Sequence, residues 1–498
     1  MKVALDVRPA VAVRAHVLVL GRHADESRPD AELRAVDQAL GGLLTRAFGE
    51  EGFEGKSGQV CSVHTAGRLP ARRVLVVGLG ARAGATAETV RRAAALGARR
   101  ARDLGAASVA MYLPAAGVAA RVRAQATAEG ALLATYRFDR YLREKSGKAL
   151  TTLGVLEPDR RQQAAARAGA RVGEIGAVAA CFARDLVNEP ANIVTPTYLA
   201  AAAARVAREG RLRLKVLERD DCERLGMGAY LGVAQGSLEP PKFIHLTYRP
   251  RGRVRRRVAI IGKGITFDSG GLDLKSADGM LRMKDDMAGG AVVLAVLSAL
   301  PKLRLPVEVH GLVAATENMP SGNAQRPGDI VRTMAGLSVE IGNTDAEGRL
   351  TLADALTYAA REVKPDEIVD LATLTGAVVQ ALGLGISGVL GGDGACERVL
   401  AAADAAGERM WRLPLHDEYK EGLKSDIADL NNISSQRGAG TINAAIFLRE
   451  FTEGRSWAHL DIAGTAFTER DLALGPKGAT GVGVRTLLAY LMRAGGAR

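Results

Sequence analysis

The sequence predicts an α/β protein with two domains, each a mixed or mostly parallel sheet flanked by helices. The first reason is length, since 498 residues are too many for one ordinary hydrophobic core. The second is the alternation of short β-branched runs with alanine-rich helical stretches in both halves of the chain. The predicted organisation is an N-terminal α/β domain over residues 1–160, a connecting helix over 161–185 and a C-terminal α/β domain over 186–498.

The N-terminal domain alternates apolar runs with helical stretches. The apolar runs are VLVLG, RVLVVGLG and SVAMYLP, and ETVRRAAALGARRARDLG is a helical stretch between two of them. This alternation is typical of a sheet with helices packed on it. The alanine-rich segment that follows contains only isolated glycines, and Pro190 and Pro196 end it. It is the predicted connecting helix.

The C-terminal domain repeats the alternation with more apolar strands. Its strand-like runs are RRVAIIGKG, VEVHGLVAAT, EIVDLATLT and AHLDIAGT. Short runs this rich in β-branched residues are typical of strands buried on both faces of a mostly parallel sheet. AGGAVVLAVLSAL and TLADALTYAAREV are the clearest helical stretches between them.

The composition favours a cytoplasmic protein without a membrane partner. The four cysteines form no CxxC pair, which argues against a structural zinc site and a disulfide framework and suits a reducing compartment. Charged residues interrupt the apolar runs of the N-terminus, so they lack the core of a signal peptide. The uncharged stretch from Leu371 to Gly392 is long enough to span a bilayer, but its glycines and polar residues predict buried strand and loop.

The net charge of +12 is concentrated in the N-terminal part, where residues 1–180 contain 28 lysines and arginines against 17 acidic residues. Such an excess is either an arginine-rich solvated surface or an electrostatic footprint for nucleic acid. Because no DNA-binding motif is recognisable, the solvated surface is the favoured interpretation and a DNA partner the less favoured one. The basic cluster RPRGRVRRR, residues 249–257, is likewise interpreted as an exposed turn before a strand.

The stretch NTDAEGRL, residues 343–350, carries two carboxylates and a guanidinium at alternate positions. If the stretch is extended, Asp345, Glu347 and Arg349 point to the same side. The prediction is that they face one common site.

Residues 262–290, GKGITFDSGGLDLKSADGMLRMKDDMAGG, form a second motif directly after an apolar strand. Ligands of open α/β sheets bind beyond the carboxyl ends of the strands, and glycines let the backbone approach a ligand closely. A phosphate-binding loop is excluded because the GxxxxGK[ST] spacing is absent and Lys263 is followed by Gly264.

Acidic residues dominate both motifs. Asp268, Asp286, Asp345 and Glu347 would bring four negative charges into one pocket, which is unstable without cations. Two divalent cations bridged by carboxylates would neutralise that pocket. The motifs contain no His or Cys, so the oxygen donors suit Mn²⁺ or Mg²⁺, with Zn²⁺ as an alternative. Solvated loop acids are the less favoured interpretation, because the motifs are glycine-rich and adjoin buried strands.

NTDAEGRL is the signature of the leucyl aminopeptidases, also called cytosol aminopeptidases, and the sequence resembles that family from about residue 183 to its end. The other matching motifs are RDLVNEPANIVTP, IGKGITFDSGG, MKDDMAGG, ENMPSG, RPGD, DLATLTGA, LKSDIADLNN, WAHLDIAGTA and GATGVGVR. The resemblance is weak over the N-terminal part. It implies that the C-terminal domain is catalytic and that the protein removes N-terminal amino acids, with leucine-type preference, from peptides.

The resemblance assigns five residues, Lys263, Asp268, Asp286, Asp345 and Glu347, as ligands of two divalent metal ions per subunit. The implied metals are Mn²⁺ or Zn²⁺, with Mg²⁺ and Co²⁺ as alternatives. Asp268 and Glu347 would bridge the two ions, and Asp345 would bind through both its side chain and its backbone carbonyl. A lysine ligand must be a neutral amine, a form that adjacent cations favour.

The resemblance also implies that Lys275 and Arg349 are catalytic residues and not ligands. In this interpretation Lys275 stabilises the oxyanion that forms when a metal-activated water attacks the scissile carbonyl. Arg349 would hold a bicarbonate ion that relays a proton, helped by backbone groups at Leu374 and Gly376. Met283 would form a wall of the pocket for the first side chain of the substrate.

The implied partners are peptide substrates and five further copies of the chain in a homohexamer. Two other functions stay open at this point. The same metal site could act on a dipeptide such as cysteinylglycine, because the motifs determine the metals and not the side-chain pocket. The basic N-terminal domain could add a DNA-binding, regulatory role, which some bacterial members of the family have.

Overall fold

The structure is a computed structural model that describes residues 1–144, 147 and 149–496. It contains two compact α/β units, which confirms the predicted fold class. The first unit is Met1–Cys181 with the separate segment Arg470–Lys477, and the second is Phe182–Glu469 with the chain from Gly478 onward.

In the described residues the first unit is built on a six-stranded sheet. Its strands are β1 (Lys2–Asp6), β2 (Val17–His23), β3 (Val60–His64), β4 (Arg73–Gly80), β5 (Ser108–Tyr112) and β6 (Thr152–Leu156). The strand order is β1-β6-β5-β2-β4-β3, and neighbouring strands are parallel except for β3 and β4. The predicted apolar runs form β2, β4 and β5.

Helices cover both faces of this sheet. They are α1 (Ala31–Ala39), α2 (Leu43–Glu50), α3 (Ala87–Asp103), α4 (Ala120–Ala134) and the start of α5 (Gln163–Asn188). Val19 and Leu75 pack on one face in a core that includes residues of α3 and α4, and Leu18 and Val74 pack on the other with α1 and α2. Burial on both faces explains why β2 and β4 are almost continuously apolar.

The second unit contains a larger, mixed sheet. Its strands, with those of two small sheets, are β7 (Arg213–Leu217), β8 (Lys242–Tyr248), β9 (Arg257–Asp268), β10 (Glu308–Asn318), β11 (Ile330–Arg332), β12 (Ser338–Glu340), β13 (Glu367–Ala372), β14 (Ser387–Gly391), β15 (Met410–Arg412), β16 (Leu430–Asn431), β17 (Trp457–Asp461), β18 (Phe467–Thr468) and β19 (Gly478–Ala479). In the described residues the large sheet has eight strands in the order β15-β14-β17-β13-β9-β10-β8-β7. The central strands β17, β13, β9 and β10 are parallel, so their carboxyl ends meet at one edge.

The helices of the second unit include one that lies unusually close to the sheet. They are α6 (Pro196–Gly210), α7 (Arg219–Arg224), α8 (Gly228–Ala234), α9 (Ala277–Met280), α10 (Ala288–Leu303), α11 (Gly348–Tyr358), α12 (Gly376–Leu382), α13 (Asp393–Ala406), α14 (Gly440–Arg449) and α15 (Val484–Ala494). A Cβ atom on Gly289 of α10 would lie 2.2 Å from the carbonyl oxygen of Leu371. Only glycine permits this approach, which brings the residues just before α10 to the carboxyl ends of β9 and β13.

Two apolar segments that could suggest a membrane are parts of this core. The segment Ala277–Leu303 is long and apolar enough to cross a bilayer, but 78% of its most apolar window is buried inside the unit. The uncharged stretch from Leu371 to Gly392 forms the end of β13, α12 and β14. Both therefore belong to the sheet and its covering helices.

Residues 343–350 are not extended, so the condition of the period-two argument is not met. Thr344 and Asp345 form a turn, Glu347 has helical backbone angles (φ −74°, ψ −34°), and Arg349 lies in the first turn of α11. The period-two argument therefore does not explain how these side chains are placed. A turn followed by a helix start does.

Candidate functional site

The predicted ligand residues meet where the central strands end. Lys263 and Asp268 lie in the second half of β9, Asp286 lies two residues before α10, and Asp345 and Glu347 belong to the turn before α11. β9 lies between β13 and β10 in the sheet, so both neighbouring strands contribute residues to the same edge. Five residues that are spread over positions 263 to 347 of the chain thus form one cluster.

Lys263 is the centre of the buried half of this cluster. Its side chain is 4% exposed, and its Nζ lies 2.8 Å from Asp286 Oδ2 and 2.6 Å from Glu347 Oε1. The ammonium also donates to the carbonyl oxygen of Thr373 at 3.2 Å, and the hydroxyl of Thr373 donates to Asp286 Oδ1 at 2.7 Å. A Cβ atom on Gly348 would lie 2.5 Å from Lys263 Cε, so any larger residue at the start of α11 would displace the Lys263 side chain.

Lys275 occupies the more open half of the cluster. Its Nζ lies 2.8 Å from Asp268 Oδ2 and contacts Asp345 Oδ1. The other oxygen of Asp268 accepts hydrogen bonds from the N–H of Gly270 at 2.9 Å and from Nδ2 of Asn318 at 2.8 Å. The side chains of Lys275 and Asp345 are 16% and 34% exposed, so this half is accessible to solvent.

Charge is unbalanced in the cluster. Burial raises the pKa of Asp286, Glu347 and Asp345, and neighbouring carboxylates raise it further. Burial also acts to lower the pKa of Lys263 and Lys275, but the carboxylates around them have the larger combined effect, and both pKa values lie above their ordinary range. Four carboxyl groups thus share two ammonium groups.

The arrangement of oxygen atoms fits divalent cations. Asp268, Asp286 and Glu347 are buried, and one carboxylate oxygen from each lies within 4.8 Å of the others. Apart from their ion pairs with Lys263, Asp286 Oδ2 and Glu347 Oε1 accept no hydrogen bond from the described residues. Converging carboxylate oxygens with free lone pairs are the ligands that Mn²⁺ and Mg²⁺ prefer, and Zn²⁺ accepts them as well.

Arg349 is buried two residues after Glu347. Its Nη1 donates to the carbonyl oxygen of Asn432 at 2.6 Å. The side chain of Asn432 is itself held, since its Nδ2 donates to the carbonyl oxygen of Asn343 at 2.7 Å. Burial lowers the pKa of Arg349 to about 10, against the opposing charges of Glu347 and Asp461. Nε of Arg349 is buried and makes no hydrogen bond with the described residues, so one strong donor is unused.

The three predicted pocket residues lie on segments that adjoin the cluster. Met283 is half-buried in the single turn that leads to Asp286. The N–H of Leu374, which follows β13, donates to Asp461 Oδ1 at 3.2 Å. Gly376 is exposed at the start of α12, and a Cβ atom there would contact nothing within 4 Å. Asp461 thus links Leu374 to Arg349: it accepts the hydrogen bond from Leu374, and its negative charge acts on the guanidinium of Arg349.

Several residues that orient the site were not singled out from the sequence. Asn318 holds Asp268, Thr373 holds Asp286 and Lys263, and Asn432 holds Arg349. Asp461 accepts hydrogen bonds from Leu374 and, at 2.6 Å, from the hydroxyl of Thr375. All four lie inside motifs that match the aminopeptidase family, which was the available signal, but the partner of each depends on tertiary contacts.

The basic cluster of residues 249–257 has a structural role. Residues 251–255 are exposed in a turn, as predicted. Arg249 and Arg257 each lie 3.1 Å from a carboxylate oxygen of buried Glu308, and Arg256 lies 3.1 Å from buried Glu367. These three arginines neutralise buried carboxylates of the protein itself, so their charges have a structural role and are not surplus charges for DNA.

The chain matches two family models. Residues 181–488 match the catalytic domain of the cytosol aminopeptidase family, and residues 17–145 match the N-terminal domain of the same family. The second match covers the region in which the motif resemblance was weak.

Similar proteins agree with these matches over nearly the whole chain. A probable cytosol aminopeptidase of a Geobacter species is 48% identical over 484 residues, which are 96% of each chain. Another, of Geobacter sulfurreducens, is 44% identical over 495 residues, which are 99% of each chain. Among solved structures, a mutant of tomato leucine aminopeptidase has a TM-score of 0.89 at 36% identity, covering 99% of this chain and 96% of that chain. The bottromycin maturation enzyme BotP in complex with Mn has a TM-score of 0.86 at 39% identity, covering 97% and 100%.

Proposed function

We propose that this chain, which belongs to the cytosol aminopeptidase family, removes N-terminal amino acids of the leucine type from peptides with the help of two divalent cations. Membership of the family makes the protein an aminopeptidase and therefore a hydrolase. The residue preference, the identity and number of the metals, and the role of each side chain are the parts that we infer.

The observation that carries this proposal is the convergence of buried carboxylates with free lone pairs. Lys263, Asp268, Asp286, Asp345 and Glu347 would hold the two ions, Mn²⁺ or Zn²⁺, with Mg²⁺ and Co²⁺ as alternatives. With Lys263 as a neutral amine, four carboxylates would balance two dications, and the ammonium of Lys275 would leave the cluster with one positive charge in place of its surplus negative charge. When bound, the cations lower the pKa of water and polarise the scissile carbonyl.

The difference in exposure between the two lysines supports their separate roles. Lys263 is enclosed by Asp286 and Glu347 and is 4% exposed, as expected of a ligand. Lys275 is 16% exposed at the open half of the cluster, where a peptide could reach it. Asp268 and Asp345 orient its ammonium, which would donate to the developing oxyanion of the substrate.

The unused donor of Arg349 supports an anion site. A buried N–H without an acceptor is costly, and a bicarbonate ion would satisfy it. Leu374 and Gly376 would add backbone contacts, and Arg349 would keep the anion where it can accept and return a proton. The guanidinium stays charged at neutral pH, since its pKa is lowered only to about 10.

The free α-amine of the substrate explains why such a site removes only terminal residues. We propose that this amine binds at the metal centre, which an internal peptide bond cannot imitate. Met283, beside Asp286, would contact the side chain of the first residue. A cytosolic location and a homohexameric assembly complete the proposal, on the strength of the family alone.

Hydrolysis of leucine p-nitroanilide with and without a chelator tests enzyme class and metal dependence together. We expect activity to be lost in the chelator and restored by Mn²⁺ or Zn²⁺, and the N-acetylated substrate not to be cleaved. Full activity in the chelator would contradict the metal site. Equal rates on acetylated and free peptides would indicate an endopeptidase.

A panel of dipeptides tests the preference for leucine. Leucine, alanine and aspartate at the first position, together with cysteinylglycine, should give the highest kcat/KM for leucine. Cleavage of cysteinylglycine alone would instead identify a specialised dipeptidase on the same site.

A further inference from the structure

A row of buried polar side chains lies on one face of β13 and β17, beside the proposed anion site. Trp457, His459 and Asp461 are at alternate positions of β17 and so point to the same face. Asp370 is the register partner of His459 on β13. Asp370, His459 and Asp461 are each 0% exposed.

The carboxylate of Asp370 holds two donors. His459 Nδ1 lies 2.6 Å from one of its oxygens, and the indole N–H of Trp457 donates to the other at 2.5 Å. Nδ1 of His459 therefore carries a proton. Nε2 of the same ring is buried and makes no hydrogen bond with the described residues. This imidazole thus has one anchored nitrogen and one unused nitrogen.

Charge balance indicates the protonation state of His459. Asp461 accepts hydrogen bonds from the N–H groups of Leu374 and Ala463, both at 3.2 Å, and from a threonine hydroxyl, as a carboxylate does. Burial raises the pKa of Asp461, against the opposing effects of His459 and of these hydrogen bonds. With both carboxyl groups ionised, Asp370 and Asp461 are two buried negative charges, whereas Arg349 is one positive charge. The group of four is neutral only if His459 is an imidazolium, and an uncompensated buried charge is costly.

The electrostatic surroundings of the ring agree with this count. Burial acts to lower the pKa of His459, but Asp370 on β13 and Asp461 on its own strand raise it more than Arg349 of α11 lowers it. The net direction is upward from the ordinary value. On β14 the residue in register with the ring is Leu390, which carries no charge.

We propose that His459 is a positioning residue for the anion that Arg349 holds. Anchored by Asp370 as an imidazolium, it offsets the negative charge of Asp461, so that a bicarbonate ion can approach Arg349 and the backbone after β13. Loss of the imidazolium charge leaves an excess of negative charge beside the anion. This inference rests on the proposed function, in which Arg349 binds bicarbonate.

The test is a bicarbonate titration of the His459→Gln variant in bicarbonate-depleted buffer, with leucine p-nitroanilide as substrate. The half-saturating bicarbonate concentration should rise about tenfold, which is the change in a binding constant that an interaction of one pKa unit produces. KM and metal content should stay within about twofold, since the ring touches no proposed ligand. In the unsubstituted enzyme this concentration should increase from pH 7 to pH 9, and the variant should lose that dependence.

Two further variants serve as controls. His245→Gln changes another shielded imidazole, which pairs with His310 at 2.8 Å, and should leave the half-saturating concentration unchanged. Asp370→Asn keeps the size of the side chain but removes the anchoring charge together with the imidazolium, so Asp461 and Arg349 stay balanced and the concentration should shift much less than in His459→Gln. If His459→Gln does not fold, the pH dependence of the half-saturating concentration in the unsubstituted enzyme is the test.

A measurement on the unsubstituted protein tests the inference whether or not the His459→Gln variant folds. The chain has seven histidines, and ¹⁵N spectra of histidine-labelled protein at pH 7.5 should show an imidazolium that Asp370→Asn removes. Seven neutral rings in the unsubstituted protein would overturn the inference, as would a folded His459→Gln variant with the original half-saturation and pH dependence.

Arg349→Ala separates failure of this inference from failure of the proposed function. Its kcat should fall and be partly restored by added bicarbonate. An Arg349→Ala variant that is insensitive to bicarbonate would contradict the anion site itself. If Arg349→Ala responds and His459→Gln behaves like the unsubstituted enzyme, only the role of His459 is wrong.

Discussion

Two clusters of the molecule, one in each unit, bury charged side chains in opposite ways. In the first unit Arg91, 1% exposed, lies 2.7 Å from Glu129 and 2.6 Å from Glu88, and Gln125 donates to the other oxygen of Glu129 at 2.8 Å. The guanidinium of Arg91 donates hydrogen bonds to both carboxylates, so the charges in this cluster are paired with each other. In the second unit four carboxylates share two lysines, and apart from their ion pairs with Lys263 two buried oxygens accept no hydrogen bond from the described residues.

The difference shows which cluster is structural and which is made for a ligand. A closed set of ion pairs fixes helices α3 and α4 against each other and needs nothing from solution. An open set with surplus negative charge is costly by itself and becomes stable when cations bind. Four experiments test this distinction, from the largest expected effect to the smallest.

Asp345→Asn should abolish aminopeptidase activity and lower the metal content while the chain stays folded. Its side chain is 34% exposed, so the substitution disturbs little packing but removes a proposed ligand charge. Metal analysis, steady-state kinetics and circular dichroism on the purified variant check this. An Asn variant with full metal occupancy and full turnover would contradict the ligand assignment.

Lys275→Ala should reduce kcat by about 10²–10³-fold, the usual cost of losing one oxyanion donor, with both metals retained. Lys263→Ala, its matched partner, should lose metal as well as activity. Metal content measured beside kcat separates the two effects. Metal loss in Lys275→Ala with a fully loaded Lys263→Ala would mean that the roles of the lysines are exchanged.

Arg91→Met should lower the free energy of unfolding by about 3–5 kcal/mol, because it removes the guanidinium that pairs with the buried carboxylate of Glu129. KM and metal content of the folded fraction should not change. The control is Arg92→Ala, whose side chain is 51% exposed and pairs with Glu88, where we expect less than about 1 kcal/mol. Denaturant unfolding curves decide, and equal effects of both variants would remove the contrast between a closed and an open cluster.

The melting temperature of the metal-free protein should fall by a few degrees from pH 5 to pH 8. Asp286, Glu347 and Asp345 have raised pKa values in the folded chain, so their stabilising contribution is present at acidic pH and is lost as pH rises through the raised values. Mn²⁺ should therefore raise the melting temperature more at pH 8 than at pH 5. Scanning calorimetry at both pH values tests this, and a larger Mn²⁺ effect at pH 5 would contradict it.

Local pattern was sufficient for the fold class and for the strands that carry the site. RRVAIIGKG became β9 and EIVDLATLT became β13, because a β-branched run buried on both faces has few alternatives to a central parallel strand. NTDAEGRL shows the limit of the same reasoning. Its residues were correctly expected near the carboxylates of the second motif, but through an extended conformation that the start of α11 replaces.

By itself the sequence determined the α/β class, the family and the residue types of the site, since these depend on periodicity and on motifs contiguous in the chain. Only the tertiary structure decided which charged and polar groups contact one another. Thr373 reaches Asp286 across 87 positions, Arg256 meets Glu367 across 111, and His459 lies beside Asp370 across 89. The physical reason is that burial and Coulomb interactions depend on distance in space, and the sheet brings together side chains that no local pattern relates.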